Sequence, residues 1–135
     1  MTLSPTLWRT CRVLSGSTRL ALFRRIVKNP GLSVGALAKA EQISLGRASQ
    51  ELRRLQSRGI VSVERTGRFV LYFPEPDPSV SSAQPVLRAL QETCARFGAP
   101  ADERTARLAA GVAHEKRLAL VRALQARPLA VHEMQ

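Results

Sequence analysis

In the first part of the chain, apolar side chains return every three or four positions, the spacing that gathers them on one side of a helix. Leu7, Cys11 and Leu14, widened by Trp8, give a short first helix behind a Ser4-Pro5 start, and Ser15-Gly16-Ser17 breaks it. A second helix is predicted from near Thr18, with Leu20, Phe23, Ile26 and Val27 inward and Arg19, Arg24, Arg25 and Lys28 outward, until Asn29-Pro30-Gly31 ends it. Ser33 can cap a third, Val34 to Ala40, whose apolar side is Val34, Leu37 and Ala38. Glu41-Gln42-Ile43 leaves only a tight turn before the next cap, Ser44.

The stretch from Ser44 to Gly59 predicts a helix with two unlike faces. Leu45, Ala48, Leu52 and Leu55 share one stripe, and Gly46, Gln50, Arg53, Arg54 and Ser57 lie opposite, flanked by Arg47 and Arg58. Ser44 closes the amino end and Gly59 supplies the positive-φ stop. Arg47, Arg53, Arg54 and Arg58 stand against Glu51 alone, a balance suited to phosphate and base edges. A solvated basic helix without a partner is the plain alternative. Two short helices joined by a turn, the second basic, outline a helix-turn-helix.

After Gly59 the period changes. Ile60 to Glu64 and Phe69 to Phe73 are rich in β-branched and aromatic residues, and Arg65-Thr66-Gly67-Arg68 between them holds the glycine that a hairpin turn favours. The arginines at its tip could reach phosphate, or the hairpin could merely close the core. Pro74, Pro76 and Pro78 cannot continue a strand, so a linker is expected over residues 74–84. Beyond it, Pro85 starts a helix in which Leu87, Leu90, Cys94 and Phe97 form a narrow apolar seam for packing or for a dimer. Gly98-Ala99-Pro100 stops it, and Asp102 can cap a further helix carrying Leu108 and Val112. The last segment echoes the second helix: Arg19-Leu20-Ala21-Leu22-Phe23-Arg24 returns as Arg117-Leu118-Ala119-Leu120-Val121-Arg122, and Pro128-Leu129-Ala130-Val131 repeats the following turn with one deletion. No counterpart of Ser44 to Phe73 follows, so the expectation is an incomplete second copy of the module.

Size and charge sharpen this outline. A chain of 135 residues with 44% hydrophobic content supports one modest core with an appendage. The net charge of +11 is uneven: residues 1–74 hold 13 basic against 3 acidic side chains, and residues 75–135 hold 8 against 7. A basic module ahead of a nearly neutral one points to a polyanion for the first. The charge lies on short helices and a hairpin rather than on one long amphipathic helix, which favours nucleic acid over a membrane surface. No apolar run approaches a membrane span and no signal-like start is present, so a cytoplasmic protein is expected.

Taken together, Thr18-Arg19-Leu20, Leu32 to Ala38, Ile43-Ser44, Ser49, Leu52, Leu55, Gly59-Ile60-Val61 and Gly67-Arg68 with Val70 and Tyr72 resemble the ArsR-type winged-helix repressors over about residues 7 to 73. The resemblance implies a mainly α fold with a small β-hairpin: a winged helix-turn-helix over residues 1–73, followed after the linker by additional C-terminal helices over 85–135. It also implies a homodimer on two-fold operator DNA. Carried over by position, Ser44, Leu45, Gly46, Arg47, Ser49, Gln50 and Arg53 are groove-facing, Arg54 lies on the same polar face, and Arg65, Gly67 and Arg68 form the wing tip. Dimer contacts fall to Leu7, Cys11, Leu14, Leu87, Leu90, Cys94 and Phe97. The family's metal sensors carry a Cys-x-Cys in the helix before the turn; Val34 to Ala40 has no cysteine, and Gly16-Ser17 stands where the family has Asp-Pro.

Enzymatic chemistry finds no foothold in the sequence. His114 and His132 lack a nucleophile context, no phosphate-cradling glycine loop or carboxylate pair stands out, and no cofactor or metal is expected. His114 reads as a helix-start residue. Cys11 and Cys94 read as buried packing thiols, with a thiolate or redox site across a dimer interface as the alternative. The expected function is sequence-specific regulation of transcription through double-stranded DNA, with the effector unspecified. The competing reading is a protein-interaction or dimerisation module on a winged-helix scaffold with little DNA specificity.

Overall fold

Leu7–Leu14 (α1) and Ser17–Lys28 (α2) are the first two helices of the computed structural model, which describes residues 7–126. The Ser4-Pro5 start, His132 and the Pro128 to Val131 echo lie outside the described residues. α2 is the hub of the fold. Its Leu20, Leu22, Phe23 and Ile26 are all buried, so Leu22 joins the expected inward set while Val27 is only half-buried. One side of α2 packs on Val34–Glu41 (α3) and Leu45–Ser57 (α4), as the apolar spacing predicts. The other receives the late helices Ala83–Arg96 (α5) and Asp102–Gly111 (α6), which no local pattern announces.

The sheet has three strands, not two. Ser62–Thr66 (β2) and Phe69–Phe73 (β3) form the hairpin, and the two-residue Leu32–Ser33 strand (β1) adds to the outer edge of β3, pairing Leu32 with Tyr72 and Ser33 with Leu71. β2 begins two residues later than expected, because Ile60 and Val61 are drawn wholly into the core and leave the pairing to their successors. Fully burying a side chain of that size is worth about 1.5–3 kcal/mol, more than one edge pair contributes. Gly67 alone of the two loop residues has positive φ, 61°, and Thr66 pairs directly with Phe69, the pattern of a two-residue type II′ hairpin. The helix pair followed by this wing is a winged helix-turn-helix arrangement within a mainly α fold.

Residues 74–82 do not hang free. The Asp77 amide donates to the Gly59 carbonyl at 2.8 Å, and Val80 is buried against the module. Gly59 is required twice over: its φ is 75°, and a Cβ there would stand 3.0 Å from Val80 Cβ and Cγ2. α5 then starts at Ala83, two residues ahead of Pro85, which occupies a first-turn position where its missing N–H costs nothing.

Arg24, expected outward, is buried. Its Nε and Nη2 donate to the two carboxylate oxygens of Asp102, Nη1 to the carbonyls of Cys94 and Phe97 at 3.3 and 2.8 Å, and Nη2 also to Gly98 O at 3.3 Å. Only 6% of its side chain remains exposed. Because α5 and α6 cover this side of α2, the guanidinium collects acceptors left over at the end of α5. Its hydrogen bond to Asp102 raises the pKa of Arg24 further above its ordinary value, against the opposing pull of burial. Asp102 is therefore an ion-pair partner at the first position of α6 rather than its cap, and Leu108 is 69% exposed while Ala106 takes the inward place. Glu115–Ala126 (α7) carries the echo of α2, yet among its described side chains only Leu118 is buried; Leu120, the counterpart of the fully buried Leu22, is exposed. His114 starts α7, its Nδ1 accepting from the Lys116 amide at 3.1 Å. No helix among the described residues is long and apolar enough to cross a membrane.

Candidate nucleic-acid interface

The turn that sets α4 at an angle to α3 is built by backbone hydrogen bonds. Gln42 adopts the left-handed conformation, φ 57° and ψ 43°; its amide donates to Lys39 O at 3.2 Å, and the next amide, of Ile43, to Ala38 O at 3.0 Å. This paired closure is a Schellman motif, which satisfies the last carbonyls of α3 and reverses the chain within three residues. Ser44 Oγ then accepts from the Arg47 amide at 3.1 Å and starts α4 as the sequence predicts; Ser33 does the same for α3 with Ala36 at 3.2 Å.

On α4, Ala48, Leu52 and Leu55 are fully buried against the module. Leu45 leaves the apolar stripe: at 59% exposure it stands on the outer first turn. The wheel alone misplaces it. Ser44, Gly46, Gln50 and Arg53 are exposed, and neither Gln50 nor Arg53 spends its side chain on a hydrogen bond or ion pair among the described residues. Arg47 and Arg54 are exposed but tethered sideways, Arg47 Nη2 to Thr18 Oγ1 at 3.2 Å and Arg54 Nη1 to Glu51 at 3.7 Å. Glu51 also holds Arg19 at 3.0 Å, fastening α4 to the start of α2.

The wing joins this face on its other side. Val63, Arg65, Val70 and Tyr72 share one face of the hairpin through the pairs Val63 with Tyr72 and Arg65 with Val70, and they line a cleft of about 240 Å³ with Ser49, Arg53 and Gln56 of α4. Burial raises the pKa of the Tyr72 phenol, while the positive charges of Arg53 and Arg65 pull it down by favouring the phenolate. The structure thus brings Ser49, Arg53 and Arg65 to one cleft, with Arg65 on a strand rather than in the turn. Gly67 and the exposed Arg68 stand at the tip, next to an exposed Phe69. Gln56 was not singled out from the sequence, although its spacing from Ser49 and Arg53, four and then three residues, puts it on the same line.

The residues expected at a dimer seam are divided. Leu14, Leu87 and Leu90 are buried within the chain's own core, because α1 packs chiefly on α6 and α2, and α5 on α2. For these three the seam is an internal one. Leu7, Cys11 and Cys94 are half-buried, and Phe97 is 45% exposed beneath the guanidinium of Arg104, 5.5 Å from the ring centroid. Burial pushes both thiols above their ordinary pKa, opposed by Arg122 at Cys11 and by Arg24 and Lys28 at Cys94, so both are poor nucleophiles. No group of three or more metal-ligating side chains occurs among the described residues. Comparison with protein-family models and with curated proteins found no match to the chain.

Proposed function

We propose that the protein is a cytoplasmic, sequence-specific DNA-binding regulator of transcription, acting as a dimer and of the ArsR-like kind that its residues resemble. The observation that carries this reading is the outer face of α4. Gln50 and Arg53 are presented to solvent with uncommitted donors, on a helix capped at both ends and backed by buried leucines, beside a wing that adds Arg65 and Arg68. A helix of this width fits a major groove, where Arg can meet guanine and Gln adenine by paired hydrogen bonds, while wing arginines meet phosphate. Ser44, Leu45, Gly46, Arg47, Ser49 and Arg54 would complete the contact along the first turns. A dimer would use what remains exposed of Leu7, Cys11, Cys94 and Phe97.

Selection of bound sequences from a random duplex pool, followed by titration at two salt concentrations, tests the proposal. The expected result is an enriched site bound at least ~10³-fold more tightly than random duplex. Affinity should also fall steeply with salt. Failure to enrich, with duplex affinity only millimolar at low salt, would transfer the argument to a protein-interaction module. The exposed Leu108 and Leu120 of α6 and α7 are where such a module would offer apolar surface.

A further inference from the structure

A second basic recess lies where α1, α2 and α4 meet. It has a volume of about 290 Å³, and its α4 wall is Arg54, Ser57 and Arg58, none of which lines the wing cleft. Arg12 and Val13 of α1 and Arg19 of α2 complete it, so four guanidinium groups border one cavity. Glu51 is the only carboxylate paired with any of them among the described residues, and it is shared between Arg19 and Arg54. Arg12 lies over the Trp8 ring at 5.1 Å, an arrangement that occupies the flat of the guanidinium and leaves its in-plane donors unused. Arg58 Nε is buried and has no hydrogen-bond partner among the described residues.

Both features are costly for an empty cavity. A buried donor without an acceptor is unfavourable, and gathered cations repel one another. An anion carrying several acceptor oxygens offsets that repulsion and gives the accessible donors of the arginine forks their acceptors. We infer that this recess binds a small organic phosphate through its phosphate group. A phosphate presents oxygens to several arginine forks at once and, as a dianion, offsets more of the uncompensated charge than a single carboxylate would. The volume admits a phosphate and a few carbon atoms, and Val13 offers those carbons an apolar wall. A phosphate of duplex DNA carries the same chemistry, and the free-phosphate and duplex arms of the test separate the two sources. Once bound, the anion competes with Glu51 for Arg19 and Arg54, contacts that fasten α4 to α2.

The test is titration of the full chain with inorganic phosphate and with phenyl phosphate, against chloride at matched ionic strength, following the arginine Nε–H resonances by NMR. Saturable shifts at Arg58 are expected, with phenyl phosphate the tighter ligand. Arg58→Gln and Arg12→Gln should each weaken binding about tenfold, the scale of one charge-assisted contact. Arg68→Gln at the wing tip should leave it unchanged. Should Arg58→Gln fail to fold, Arg58→Lys, which keeps the charge but loses the fork, is expected to weaken binding likewise. Non-saturating shifts equal to those from chloride, or unchanged affinity in folded Arg58 and Arg12 variants, would overturn the assignment. So would an Arg58 signal that moves with duplex DNA and not with free phosphate. The recess would hold its anion whether or not α4 enters a groove, so a failure here leaves DNA binding standing, and loss of DNA binding leaves this site standing.

Discussion

Arg53 and Arg68 carry the same charge from different platforms, and that difference separates their expected roles. Arg53 projects from the middle of a capped helix beside Gln50, where its rigid fork can be aimed; Arg68 sits in a two-residue loop at the tip of a hairpin. Arg53→Ala should therefore cost about 1–3 kcal/mol on a specific duplex and much less on a random one. Arg68→Ala should weaken both alike and lower the slope of log affinity against log salt by about one. Fluorescence anisotropy with both duplexes at two salt concentrations reads the difference; equal losses for Arg53→Ala on both would overturn the base-reading role proposed for it. Gln50 and Arg53 were legible at this scale because their placement follows from helical period alone. Arg24 was not: nothing nearby in sequence distinguishes it from Arg25, which stays exposed and pairs with Glu41 at 2.7 Å.

Among the elements, the turn between α3 and α4 decides how α4 is presented. Its left-handed residue is Gln42, a residue type that pays about 1 kcal/mol there because its Cβ crowds the backbone. Gln42→Gly should stabilise the protein by about 0.5–1 kcal/mol, and Gln42→Val, branched at Cβ, should destabilise it by more than that. Urea denaturation would show this as a higher midpoint at unchanged slope for glycine. A glycine variant no more stable than the parent would show that unfolded-chain entropy outweighs the relieved strain. The length of the turn could be read from Glu41-Gln42-Ile43 between two helical patterns. Its handedness could not, since neither glycine nor asparagine marks it. The same limit applies to the wing, where alternation gave the hairpin but left out β1, a strand of two residues defined by its pairing to β3.

For the molecule as a whole, the late helices are integral to the winged module, through Leu87, Leu90 and Ala106 in the shared core and through the Arg24 ion pair. Arg24→Ala would leave the Asp102 carboxylate without its partner and take one donor from each of three carbonyls, and is expected to cost about 3–5 kcal/mol; Asp102→Asn, which keeps an acceptor, should cost less. Chemical denaturation followed by circular dichroism would measure both, and a loss below about 1 kcal/mol for Arg24→Ala would show the pair to be incidental. The sequence by itself determined the local features: the order of helices through α4, both serine caps, the basic outer face and the glycine stops. These rest on interactions within a few residues, and period, capping and φ preference encode such interactions directly. Which side of α2 meets α5 and α6, why Leu22 is buried while its echo Leu120 is exposed, and how arginines from α1, α2 and α4 come to surround one recess were decided only by tertiary structure. Each depends on partners brought together from distant parts of the chain, and a local pattern reports that a face is apolar or charged without reporting what will cover it.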